Sequence, residues 1–497
     1  MVVRRAPAWL PAAATVVLAT ASAGVVAYAD RVRMAADAAL PAQGLCLAAA
    51  AMWLAFATAP AARRWRPPRL DAARIVPPLV ILGLAFALRA HLGSVLPFPD
   101  RTGFEELQMG SDGHRLLTTG VLPLEFRFTK ALSAVGLWWG GNSLEALRLP
   151  FRLMGYGRLV ATLLCLRALG AGWWPTACVT LAAAASRWFV ITSGAAYEDF
   201  SASLFLLMLV LCLLKANPVR PASRAWAAFA GMFAGILVFE NSSFRFALAL
   251  ALAWFVWLAL VRWRREDPST KWRPALMFAA VGALVSAPML IDIVHGGVQS
   301  IFFEAVTRCA SDRSTAFSPF VLENLRESFR MLAGLPVRIS FYLAPENGHA
   351  VHPALGALLV AGAAAALLWP SRAAVRAIVL SALLAVVVCS LTTNYFAASR
   401  LAPVASLLLL SAGAFLHQAE GWVARAVGTM GTALRLPSRT LLAASRIVTP
   451  ALITALTATM VIGNARRIRE MAADVNVRRE YRNDQYLVAW YLATEVP

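Results

Sequence analysis

Carboxylates are scarce in this 497-residue chain, 26 against 46 Lys and Arg, and six of them gather in one stretch, Pro97–Pro150. They are Asp100, Glu105, Glu106, Asp112, Glu125 and Glu145. A carboxylate within hydrogen-bond reach of a hydroxyl can take its proton as that oxygen attacks an electrophile. Two adjacent carboxylates also raise one another's pKa, which brings a base closer to working pH. The pair Glu105-Glu106 is therefore the first candidate for a general base, with Asp112 and Asp100 next. The competing reading makes the pair solvated loop charges, or acids favoured by a helix dipole.

A second acidic pair, Glu198-Asp199, sits between two apolar runs. Acids near a membrane surface are costly unless paired or functional. Arg187, just upstream, offers the structural alternative of an ion pair. For cations, Arg245 and Arg400 stand at the ends of apolar runs, where a guanidinium could hold a phosphate through charge-assisted hydrogen bonds. Snorkelling to the headgroup level is the plain alternative for each. His349 and His352 with Glu346 are a weak match to a metal site, and a polar loop end explains them as well. The six Cys are scattered without a CxxC spacing, so neither a disulfide framework nor a Cys-based zinc site is supported. No metal ligands are assigned.

The elements that must position these groups are apolar. Sixty per cent hydrophobic residues, 14% charged and a mean hydropathy of +0.65 exclude an ordinary soluble domain. Runs of apolar residues long enough to cross a hydrocarbon core recur along the chain and predict about thirteen transmembrane helices. The expected spans are 9–28, 41–60, 75–96, 156–169, 175–194, 200–215, 225–239, 244–261, 274–294, 353–369, 377–391, 401–417 and 447–463. Leu144–Leu153 reads as an amphipathic helix in the interface. The first span, with MVVRR before it and Ala27-Tyr28-Ala29 near its end, also resembles a signal peptide; a retained helix is preferred.

Charge orients the bundle. Arg63, Arg64, Arg66, Arg69 and Arg74 mark a cytoplasmic connection, as do the basic segments 215–224, 262–273, 372–376 and 418–446. Of the 26 acids only Asp71, Glu266, Asp267 and Glu420 then fall inside, which makes the outer face the working one. The organisation expected is two N-terminal helices and a basic loop (1–74), a core with the acidic first outer loop (75–294, loop 97–150), a second outer loop (295–352), C-terminal spans (353–463) and an amphipathic outer tail (464–497). The net charge of +20 is accounted for by these connections and favours anionic lipid headgroups. Nothing interleaves basic residues with stacking aromatics, so nucleic acid is not an expected partner.

The order of short motifs carries a family resemblance. Phe104-Glu105-Glu106 is followed by Gly120-Val121-Leu122-Pro123, then Glu145-Ala146-Leu147-Arg148-Leu149, then Ser193-Gly194-Ala195-Ala196-Tyr197-Glu198-Asp199. This order resembles the GT-C superfamily of polyprenyl-phosphate-sugar-dependent transferases, which includes protein O-mannosyltransferases and lipid A aminoarabinose transferases. The resemblance covers 75–261, and the rest only by hydropathy. It implies an all-α polytopic GT-C-like bundle with extracytoplasmic loops, in a cytoplasmic (bacterial inner) membrane. It also implies inverting transfer of a sugar from a polyprenyl-phosphate donor to a glycan, lipid or protein acceptor. Glu105 or Glu106 would be the base, with Glu198 and Asp199 orienting, Arg400 on the donor phosphate and a divalent metal ion left open as cofactor; Arg245 stands beside them on the charge argument above. The chain departs from the family in having Glu where the pair usually begins with Asp, and in having an extra span before the loop.

Two other functions fit a basic outer vestibule. A transporter or flippase of lipid-linked sugars would place ionisable groups at the midplane on broken helices. An inactive relative would only scaffold an envelope-assembly complex.

Overall fold

The computed structural model describes residues 72–95, 104–119, 127–194, 198–216, 223–239, 253–254, 268–296, 319–337, 349–369, 373–391, 398–433 and 438–473. Over these the chain forms fourteen α-helices, one 3-10 turn and no strand. The helices are α1 (Ala72–Val95), α2 (Phe104–Thr119), α3 (Arg127–Gly140), α4 (Leu144–Ala168), α5 (Trp173–Ala185), α6 (Arg187–Gly194) and α7 (Glu198–Lys215). They continue as α8 (Ser223–Phe239), α9 (Pro268–Gly296), α10 (Pro319–Leu332), α11 (Pro353–Leu368), α12 (Ala373–Leu391), the 3-10 turn Ala398–Leu401, α13 (Ala402–Ala433) and α14 (Ser438–Ala473).

Among the described residues five helices are long and apolar enough to cross a membrane, six if the bent pair α5–α6 is one span, and four shorter apolar helices accompany them. The chain is an all-α, multi-pass membrane protein. The expected spans before residue 72 lie outside the described residues, and 244–261 almost entirely so. The remaining expected spans each fall on a described helix.

Two expectations are corrected in detail. The interface helix expected at Leu144–Leu153 and the span expected from Tyr156 are one continuous helix, α4. Ser143 caps it by accepting from Ala146 N at 3.2 Å, and Pro150 sits within it. Its far end closes on Gly170 at φ +77°, whose N–H donates to Arg167 O while Ala171 N donates to Leu166 O. The span expected at 175–194 is two helices, α5 and α6, bent 58° at Ser186.

The core gathers α5, α6, α7 and α13 around Trp188, Phe189, Leu206, Leu207, Leu407 and Leu410, all but fully buried. Small residues let helix backbones meet, as lipid-solvated bundles require. Gly231 of α8 lies against Phe278 O of α9, and Gly362 of α11 lies against Ser411 and Ala412 of α13. A smaller cluster of Met109, Leu137, Leu147 and Phe151 joins α2, α3 and the start of α4. On that unit Trp138 and Trp139 are 76% and 78% exposed, as aromatic side chains at a membrane interface are.

Candidate active site

The acidic stretch folds as α2, and Glu105 and Glu106 lie in its first turn. Their side chains are outside the described residues. Two turns further on, Asp112 is mostly buried, with Lys130 Nζ of α3 2.6 Å from its Oδ2. The contact is a close charge pair rather than an aligned hydrogen bond. Gly113 lets the two helices touch, since a Cβ there would stand 3.0 Å from Ser133 Cβ. Met109, one turn from the acidic pair, packs with Leu147 and Phe151 of α4. The acid-bearing helix is thus fastened to the first turns of α4.

The helix break at Ser186 builds the second part. A bend frees carbonyls at the end of α5, and in a membrane these need donors from the protein. Arg89 of α1 supplies them. Its Nη1 donates to Ala184 O at 3.4 Å and Ala183 O at 3.5 Å, and its Nη2 donates to Phe189 O and Ser193 Oγ. Gly155 of α4 permits this approach, because a Cβ there would collide with Ser193. Arg158, one turn along α4, lays its guanidinium 3.9 Å over the Phe189 ring, and its Nη2 has no hydrogen-bond partner among the described residues. Stacking on an aromatic face lowers the cost of burying that cation.

Between α1, α4 and α6 lies a cavity of about 370 Å³. Arg89, Ser94, Glu145, Arg152, Tyr156 and Ser193 supply its polar lining. Arg152 forms a two-point pair with Glu145, its Nη2 3.0 Å from Oε1 and its Nη1 on Oε2. Two guanidiniums, two hydroxyls and a phenol around a small open cavity suit a phosphate or another small anion. Gly194 is also on its wall, and α7 opens four residues later with Glu198 and Asp199, whose side chains are outside the described residues.

The structure therefore brings Glu145, Arg89 and Arg152 together, none of which the sequence reading assigned to phosphate. A signal existed for Arg89, the lone charge inside the apolar run 75–96. Arg245 and Asp100 lie outside the described residues. Arg400, partly buried, ends up in the 3-10 turn before α13, and its backbone oxygen accepts from Cys389 Sγ at 3.6 Å; it does not line the cavity. Arg187 donates to His349 O.

Of the metal-site candidates, His349 and His352 each have a structural partner, and Glu346 lies outside the described residues. His349 Nδ1 donates to Gly334 O at 2.7 Å, while His352 Nδ1 accepts from Ala354 N at 3.2 Å and its Nε2 packs on Gly463. Burial, with Arg467 and then His349 nearby, pushes the His352 pKa below its ordinary 6.5. Among the described residues no three His, Cys, Asp or Glu groups cluster as a metal site would need.

Neither a protein-family model nor a curated protein matches the chain. Solved structures do. ArnT from Cupriavidus metallidurans in the apo state aligns with a TM-score of 0.50 and 14% identity over 85% of this chain and 78% of that one. The same protein bound to undecaprenyl phosphate aligns equally, over 77% of its length. The oligosaccharyltransferase of Archaeoglobus fulgidus aligns at a TM-score of 0.49 and 12% identity, over 81% of this chain and 57% of that one. This chain has a GT-C-like fold.

Proposed function

We propose that the protein is a membrane glycosyltransferase that moves a sugar from a polyprenyl-phosphate donor to an acceptor hydroxyl on the outer face, by single displacement with inversion. The observation that carries this reading is the basic cavity walled by α4, the same helix whose first turns anchor the acid-bearing α2. A structurally similar protein, ArnT, is seen with undecaprenyl phosphate bound.

In this reading Arg152, Arg89 and Ser193 receive the donor phosphate, with Arg245 and Arg400 as further candidates. Glu105 or Glu106 takes the acceptor proton as the acceptor oxygen bonds to the anomeric carbon. The bond from that carbon to the phosphate oxygen breaks, and its electron pair stays on the phosphate. The products are the glycosylated acceptor, polyprenyl phosphate and a protonated carboxylate. Glu198 or Asp199 orients the acceptor. Asp112, paired with Lys130, fixes α2 instead of acting as the base.

The test is lipid binding by the purified protein in nanodiscs. Native mass spectrometry should find polyprenyl phosphate on the wild type, and Arg152→Ala should weaken it tenfold or more, about the 1.5–3 kcal/mol of a charge-assisted contact. Absence of such binding, or equal binding by the variant, overturns the reading. A single Cys at position 142 in a Cys-free background should react with an impermeant thiol reagent in intact cells; protection there would reverse the orientation.

One observation favours a lipid-linked-sugar flippase as the second reading: the bent α5–α6 pair carries Arg89 and Arg158 buried beside it. That reading requires transbilayer movement of a polyprenyl phosphate probe in liposomes without sugar transfer.

A further inference from the structure

The cavity's charge is set by three lining residues. Arg89 and Arg152 each bring one positive charge and Glu145 one negative, which leaves a formal +1. Glu145 is not needed to complete the helix, since Ser143 caps α4 and Glu145 is 57% exposed by its side chain. Its described partner is Arg152, seven residues and two turns away on the same helix face, and both groups open into the cavity.

A sugar donor and its product differ in the same quantity. The donor is a phosphodiester and carries one negative charge. The product, polyprenyl phosphate, is a monoester carrying about 1.5 to 2 negative charges at neutral pH. A site of net +1 matches the donor and is under-charged for the product.

We propose that Glu145 acts as a charge filter in this cavity: by holding Arg152 it tunes the site to a monoanionic lipid phosphodiester and lowers its affinity for the dianionic monoester, so that the spent carrier leaves. The inference rests on the proposed phosphate role of the cavity. When a phosphate enters, Arg152 turns from Glu145 to the ligand, and the carboxylate stays beside it. Repulsion from Glu145 then acts once on a diester and nearly twice on a monoester.

The test is a pair of ligands on the full-length protein in nanodiscs, a short-chain polyprenyl phosphate and its methyl diester, against wild type, Glu145→Gln and Glu145→Asp. Removing one charge near a solvent-screened site changes affinity for a monoanion by about threefold, and for a dianion by the square of that, about tenfold. Glu145→Gln should therefore tighten the diester about threefold and the monoester about tenfold, while Glu145→Asp, which keeps the charge, should behave as wild type. Equal tightening of both ligands, or no change in either, overturns the filter while leaving the site intact. Failure of the wild type to bind either ligand instead removes the phosphate reading of the cavity.

Discussion

Lys130 Nζ of α3 stands 2.6 Å from Asp112 Oδ2 of α2, and their side chains are 4% and 14% exposed. The pair ties together two short helices, which share a small apolar cluster of Met109 and Leu137 with Leu147 and Phe151 of α4. Such a pair matters most when it is broken, because the partner left behind is a buried, uncompensated charge. Asp112→Asn should lower stability by on the order of 3 kcal/mol, read as a drop in the thermal unfolding midpoint. The double variant Asp112→Asn with Lys130→Met should recover much of that loss, since no charge then remains buried. A double variant as unstable as the single one would show that Asp112 acts through something other than Lys130.

Glu105 and Glu106 should respond differently. They sit in the first turn of α2, ahead of the Asp112 that pairs with Lys130 of α3. Gln keeps size and hydrogen bonding but is no base at working pH. The Gln variant of the base should fold, bind polyprenyl phosphate and lose turnover by about 10²–10⁴-fold. The Asp variant should keep part of the activity, because only reach changes. Near-normal turnover in both Gln variants, measured as sugar transferred from the lipid donor, would move the base to Glu198 or Asp199.

Much of the architecture is legible because hydropathy is a local property. The apolar runs that predict spans at 75–96, 200–215 and 377–391 all lie on helices. What failed was local in sequence but decided at a distance. Pro150, Arg152 and Arg158 interrupt the hydropathy of α4, and so divided it into an interface helix and a short span. In the fold Arg152 is answered by Glu145 and Arg158 by the Phe189 ring, so the helix runs through. The break at Ser186 follows the same logic in reverse, for neither Pro nor Gly marks it. Arg89 stabilises it from another helix by taking the carbonyls of Ala183 and Ala184. The acidic stretch could be picked out by composition alone, whereas a cavity lined from α1, α4 and α6 depends on packing that no spacing rule encodes.

Gly155 should be essential to that packing. A Cβ there would collide with Ser193 Cβ and come within 2.9 Å of its Oγ, the group that accepts from Arg89. Gly155→Ala should push α6 from α4, break the Arg89–Ser193 contact and weaken polyprenyl phosphate binding tenfold or more; losing a charge-assisted bond costs about 1.5–3 kcal/mol. Ser193→Gly clears the space but removes the same hydroxyl, so Gly155→Ala with Ser193→Gly should recover the α4–α6 packing, read as the thermal unfolding midpoint, and leave the binding weakened. A single variant with wild-type affinity would show that the cavity tolerates a wider α4–α6 separation.

His352 gives a pH-dependent prediction that does not involve the cavity. It caps α11 with Nδ1 accepting from Ala354 N, and its Nε2 packs on Gly463 of α14, a position where any side chain would collide with the ring. Burial first, then the charges of Arg467 and His349, lower its pKa in the folded protein from the ordinary 6.5. Protonation would also take the lone pair that makes the cap. The sign follows from proton counting: as pH falls through about 6.5 the unfolded chain binds the proton first, so stability present above that pH is progressively lost below it. The unfolding midpoint of the wild type should therefore fall as pH drops from about 7 to 5. His352→Asn keeps an oxygen acceptor suited to an N-cap and cannot titrate, so its midpoint should fall less over the same interval. Parallel curves for the two proteins would show that His352 stays neutral in both states or that other groups set the acid sensitivity. Gly463→Ala offers the cross-check, since it should displace the ring, expose it to water and flatten the His352 contribution while lowering stability at every pH.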